Sequence, residues 1–380
     1  MMRLFIVIIA VLTANLFGAS FQGLGDLPSG PVFSEAWSMS PDGKVVVGSS
    51  GSGSGQEAFR WTEIEDIVPL GDLPGTPFQS NATSVSSDGS VITGFGNIGG
   101  TYMAFHYTTD NGIVELPSSV TVNNQTYNYS TIATGISADG SVIIGKANNM
   151  NAQLGGPNLG DKVCYWTEGQ MHLLTPPGYD SFSGALARAI STDGSTILIG
   201  TNYNAGYLWS ESSGFQELPS LDVTRGPFYL MSNDATVLGG YNRDDQTSFL
   251  WSESTGFTQI GLPDGYVDNH IGALNSDASL AGGQLIREYS TSYDAQNYEA
   301  YLWDNINGIQ SVEAILTTQG IDLNGWILTG VSSISDDGFT ICGNGINPDG
   351  FEEAWVATIP EPTSILLTLS GALIALRRKS

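Results

Sequence analysis

The feature that most constrains this chain is an internal repeat: one short motif is written seven times along its length. Each copy runs from a small and an apolar residue into S-x-D-G, then a β-branched stretch that ends in Gly. The first is Ala36-Trp37-Ser38-Met39-Ser40-Pro41-Asp42-Gly43, continuing through Val45-Val46-Val47 to Gly48. Further copies centre on Asp88-Gly89, Asp139-Gly140, Asp193-Gly194 and Asp337-Gly338, and two carry Ala after the Asp, at Asp234-Ala235 and Asp277-Ala278. Downstream of each lies an aromatic signature such as Phe59-Arg60-Trp61, Tyr207-Leu208-Trp209 or Ala354-Trp355. Several copies then close on Leu-Pro, as at Leu73-Pro74, Leu116-Pro117 and Leu218-Pro219.

Each piece has a physical reading. Val/Ile runs and aromatic positions suit strands, and Asp-Gly between two such runs suits a hairpin turn, because Gly takes positive φ without a Cβ clash. Proline removes a ladder donor and ends pairing. One unit is therefore about four short strands, and a four-stranded unit repeated radially is a β-propeller blade. The expected fold is all-β, a propeller of seven four-stranded blades. Leu24-Gly25-Asp26-Leu27-Pro28 matches the fourth-strand pattern with no unit before it, and the last unit stops at Ile359 without a fourth strand. The N-terminal strand, around Leu24–Leu27, is thus expected to complete the last blade by pairing with the strand holding Ala354–Val356, leaving no open edge. Residues 312–319 read as a short surface helix, with Val312, Ile315 and Leu316 on one face.

The two ends read as addresses. A basic Arg3, an apolar run over residues 4–17 and the small residues Gly18-Ala19-Ser20 make a secretory signal, cut after Ser20. Pro360-Glu361-Pro362, an apolar stretch over 363–376 and Arg377-Arg378-Lys379 follow the repeats. The organisation expected is a signal peptide (1–20), a repeat domain (21–359) and a tail (360–380). With 12 basic against 38 acidic residues and a formal charge of −26, the chain repels phosphate backbones, and no nucleic-acid partner is expected.

The tail resembles the PEP-CTERM sorting signals of Gram-negative bacteria. That resemblance implies export to the cell surface, envelope or exterior, a transient membrane tether with the basic end in the cytoplasm, and cutting near Pro360, Glu361 and Pro362 by a protease of the exosortase type. The apolar run, near 14 residues, is short for a permanent span. The repeats themselves look like the HAF family of extracellular repeats, including the Gly320-Ile321-Asp322-Leu323-Asn324-Gly325-Trp326 segment typical of a last repeat. That family is defined by sequence and implies architecture and export rather than an activity.

Chemistry is sparse. His106, His172 and His270 fall in an aromatic strand, a fourth strand and a loop, and no G-x-S-x-G singles out a serine. S-x-D-G supplies one carboxylate per turn where a calcium loop stacks several, so the aspartates read as caps of their own turns, and no metal or cofactor is expected. Trp61, Trp166, Trp209, Trp251, Trp303 and Trp355 recur at one place in each unit and read as packing between sheets rather than a sugar-stacking ladder. Cys164 and Cys342 read as buried hydrophobes rather than a disulfide. The leading expectation is a non-enzymatic binding or matrix protein of the envelope, its ligand an extracellular polysaccharide or another envelope protein. The alternative is a polysaccharide hydrolase or lyase with its site at the propeller channel.

Overall fold

A computed structural model of the chain describes residues 18–122, 124–150, 161–179, 184–201, 205–219, 225–290 and 294–359. Seven antiparallel sheets pack side by side in a closed ring, and the chain is a seven-bladed β-propeller. In the first blade the strands are Ser29–Met39, Val46–Ser52, Gly55–Thr62 and Asp66–Gly71, from the axis outward. The later inner strands are Ser80–Val85, Gln125–Ile136, Ala185–Ile190, Arg225–Met231, Asp268–Leu274 and Ile327–Ile334. The third blade adds a fifth strand, Ser119–Val122, paired with the first half of its inner strand, which the repeat pattern did not announce.

The ring closes through the N-terminal strand, as expected, but at a different register. Ser20–Gly23 is the strand, and it pairs with Glu352–Thr358 from Ser20 opposite Thr358 to Gly23 opposite Trp355. The Leu24–Leu27 segment is not itself the strand. Leu24 donates one last N–H to Ala354 O (2.8 Å), after which Gly25 turns the chain with φ 74°. Leu24 and Leu27 then wedge between the seventh and first blades, beside Met39, Phe59 and Cys342. The Phe21 ring packs edge-on against Trp326 at 5.3 Å and near Trp355 at 6.1 Å.

Hydrophobic clusters sit between neighbouring blades. The aromatic strand supplies the largest members: Phe59, Phe105, Tyr301 and Trp355 are fully buried. Trp61, Trp166 and Trp303 are buried too, while Trp209 and Trp251 are only half-buried. The helix spans Val312–Thr318, capped by the Ser311 hydroxyl, and buries Val312 and Leu316 against the seventh blade. Every inner strand slips register by one residue at the same point, three residues before the recurring Ser of the motif or the Asn in its place. Two of the bulged residues, Thr83 and Thr134, donate their hydroxyls to Ala133 O and Ala187 O in the following blade.

Candidate functional site

All seven motifs make the connection from inner to second strand, so the S-x-D-G turns ring one face of the propeller. In each turn the Asp carboxylate accepts the N–H two residues on, at 2.9–3.1 Å. In six of them the Ser hydroxyl donates to the Asp at 2.6–2.8 Å and accepts the N–H five residues on. In the sixth blade Asn275 stands in for the Ser and accepts from Leu280 N. These bonds favour the ionised carboxylate. Those from Ser90 and Ser86 hold Asp88 down at about 2, from an ordinary 3.8, and similar bonds lower Asp139, Asp193 and Asp234. The aspartates are thus turn caps, as the motif suggested.

The residue that follows the turn Asp sits in a left-handed backbone in all seven copies. The five turn glycines have φ of 71–76°, and Ala235 and Ala278 keep the same left-handed backbone at 60° and 55°. Those two turns therefore retain the conformation and carry its strain, on the order of 1 kcal/mol each.

The variable x position does something that one copy of the motif could not reveal. Ser87 N donates to Ala138 O, Ala138 N to Thr192 O, Thr192 N to Asn233 O and Asn233 N to Ser276 O, each at 2.8–3.0 Å. Ser276 reaches Asp336 O through its hydroxyl, and Asp336 N donates to Pro41 O. The seventh link cannot form in this way, because Pro41 has no N–H. Backbone thus laces neighbouring blades around this end of the channel, and Asn233 Nδ2 crosses from the fifth blade to the Asp336 carboxylate of the seventh at 3.0 Å.

Outside this collar, on the same face, lies a cleft of about 920 Å³ over the fifth to seventh blades. Its walls are the Ala235 and Ala278 turns, the hairpins at 252–255 and 304–307, and Phe339 with Ile359. Trp251, Trp303, Leu250 and Leu280 supply apolar surface, and Ser252, Ser254, Thr255, Asn305 and Asn307 supply amides and hydroxyls. Glu253, Asp304 and Asp337 are acidic, and among the described residues no Lys, Arg or His lines the cleft. Asp304 accepts from Ile306 N, Asn307 N and Asn307 Nδ2, and Asp337 caps its own turn, which leaves Glu253 as the carboxylate without such a structural task. The repeat reading treated Trp251 and Trp303 as packing alone; both also border this cleft.

The opposite face gathers a second polar group. Asp268, whose side chain is 3% exposed, accepts from Tyr241 at 2.9 Å and from Tyr289, with His270 Nε2 at 3.3 Å. Burial first, then the bond to Asp268, pushes the Tyr289 hydroxyl up to about 12. His270 stacks on Tyr241 at 4.5 Å, and it lies in the inner strand Asp268–Leu274 rather than in the loop expected. One carboxylate is present in this cluster and its oxygens are already met by tyrosine hydroxyls, so it reads as a buttress between the fifth and sixth blades. His106 and His172 lie apart from it, in the strands Thr101–Thr108 and Gln170–Leu174; burial lowers the former, and the latter stacks on Tyr165 at 4.7 Å. Cys164 and Cys342 are free and fully buried, and burial pushes the Cys342 thiol up to about 12. Pro360, Glu361 and Pro362 lie outside the described residues.

No family model and no curated protein matches the chain. Its fold is similar to that of a streptogramin B lyase (TM-score 0.52, 13% identity, covering 90% of this chain and 98% of that one). It is also similar to the β-propeller domain of Cps50 (Swd1) of Myceliophteria thermophila (0.52, 9%, 90% and 100%). A third similar structure is an oligogalacturonate lyase in complex with manganese (0.51, 14%, 86% and 88%). At such identities the likeness is one of fold, and it assigns the chain to the architecture of β-propellers without an activity.

Proposed function

We propose that this is an exported, non-enzymatic binding protein of the cell envelope or secreted polymer layer, which takes its ligand in the cleft over the fifth to seventh blades. The observation that carries the reading is the make-up of that cleft: indole and aliphatic surface beside hydroxyls, amides and acids, with no cation among the described residues. Indole surface with hydrogen-bonding groups around it suits a sugar ring, which presents C–H faces and a hydroxyl edge. The acidic rim in a chain of net charge −26 disfavours uronates and sulfated polymers and favours neutral or amino sugars. A glycosidase reading needs two working carboxylates, and two of the three here are tied up in their own turns.

Export through residues 1–20 and sorting through Pro360, Glu361 and Pro362, with an exosortase-type protease as partner, belong to the same proposal. The sequence pattern of the two ends supports them. In a host with that machinery the mature chain lacks the tail, and intact-mass analysis showing an uncut C-terminus there counts against it.

A glycan array probed with the full chain tests the ligand class. Neutral or amino-sugar polymers are expected to bind and anionic ones not to. Trp251→Ala is expected to weaken binding roughly tenfold, about 1.4 kcal/mol. Binding confined to anionic glycans, or unchanged by Trp251→Ala, overturns the assignment to this cleft.

A further inference from the structure

We propose that the S-x-D-G face is the membrane-facing side of the tethered chain, so that the cleft is turned toward the bilayer until the chain is released. The inference rests on the tether reading of the apolar tail and adds an orientation to it.

The geometry comes from the seam. Ser20 pairs with Thr358, so the chain enters and leaves the ring side by side at one end of the seventh sheet. That end belongs to the S-x-D-G face: Ile359 N donates to Phe339 O at 2.7 Å, and Phe339 directly follows Asp337-Gly338. Ile359 itself lines the cleft. The apolar runs end at Phe17 and begin at Thr363, only a few residues from the ring on either side. Four residues at full extension reach roughly 14 Å. A strand of eight residues such as Gly55–Thr62 makes the ring roughly 25 Å deep along that strand. Whichever end is held, the leash is shorter than the ring is deep, and the ring cannot turn its other face to the bilayer.

Charge decides how firmly that face sits down. It carries the seven turn aspartates, which repel anionic headgroups over about a Debye length. The anchor, and not adhesion of the face, therefore keeps the protein at the membrane, and loss of the anchor frees the cleft. A bulky polymer reaches the cleft only after that loss.

The test uses the full chain in vesicles of zwitterionic lipid that carry a headgroup-attached quencher. Ile64, 94% exposed, lies in the turn after Gly55–Thr62, and the exposed Ser54 lies just before that strand, on the opposite face. Cys164 and Cys342 are 0% exposed, so a fluorophore attached to Ile64→Cys or Ser54→Cys reports one position. Quenching is expected to be several-fold stronger at position 64 than at 54. A second pair, Ser212→Cys on the S-x-D-G face and Arg243→Cys on the other, is expected to repeat the difference in other blades. Equal or reversed quenching with the protein bound overturns the orientation and leaves the tether reading standing. Failure of the full chain to bind the vesicles overturns both.

Discussion

From the seventh blade round to the third, a Cβ added to the turn glycine would lie 2.6–2.8 Å from a β-branched side chain of the preceding blade. Gly43 would meet Thr340, Gly89 would meet Val45, and Gly140 would meet Val91. At Gly194 the nearest atoms stand off to 3.2 Å, in the fifth and sixth blades Ala235 and Ala278 already carry the Cβ, and at Gly338 the nearest neighbour is Leu280 at 3.5 Å. The same motif is therefore packed most tightly from the first to the third blade and more loosely beyond, and the looser side is where the cleft opens. Glycine serves two purposes in the tight half, positive φ and close approach; the second weakens at Gly194 and is gone at Gly338. An imperfect copy of a repeat, in this protein, marks the sector released from the packing rule.

Substitution in the tight half is the strongest way to break this comparison. Gly89→Ala combines left-handed strain with a 2.6 Å approach to Val45 Cγ2, and is expected to cost roughly 2–4 kcal/mol. A shift in denaturant midpoint at unchanged slope measures it. Gly338→Ala has the strain without the clash and is expected to cost only about 1 kcal/mol. Equal losses at the two positions would mean that the ring has no tight half.

Acid acts on both halves through the turn aspartates. Their folded-state values are depressed, so the stability they contribute is present above about pH 4 and is lost as pH falls through the folded value, about 2 for Asp88. Because Asp88 is exposed, its share is small and weakened by salt. Asp88→Asn is expected to flatten slightly the fall in melting temperature between pH 4 and 2, and a curve identical to that of the parent would remove the turn caps from the argument.

The smallest effect sharpens the comparison. Ala235→Gly relieves the strain of φ 60° but frees the unfolded chain, and is expected to stabilise by about 0.5 kcal/mol. Ala278 is 7% exposed, and loss of its buried methyl is expected to cancel that gain. A destabilising Ala235→Gly would show that the fifth blade has repacked around the methyl.

Much of the fold was legible because it is local. Val46–Val47 and Phe59–Trp61 fall in strands as their residue types suggest, and Ser40 with Asp42 closes its own turn. The orphan fourth-strand pattern at Leu24-Gly25 announced ring closure correctly and its register wrongly, because the leucines that made the pattern conspicuous are wedges between blades and the pairing strand is the plainer Ser20–Gly23. The site was less legible. Trp251 and Trp303 look the same in the sequence as Trp61 or Trp166, and only Ala235 and Ala278, as departures from S-x-D-G, pointed at the right blades.

What the sequence by itself determined is the unit: strand lengths, turn chemistry, capping aspartates, the count of seven and a closed ring. The unit depends on contacts within some 50 residues, which repeat in the text, and the closure shows there as an orphan strand pattern at one end and a missing strand at the other. What only the tertiary structure decided is what the units do to one another. The collar of x-to-x hydrogen bonds, the graded gap behind each turn, the cleft and the shared exit of the two ends join residues as far apart as Ser20 and Thr358. A backbone donor is present at every non-proline x position whatever its side chain, and the space behind a glycine belongs to the neighbouring blade, so neither leaves a mark on the motif that makes it.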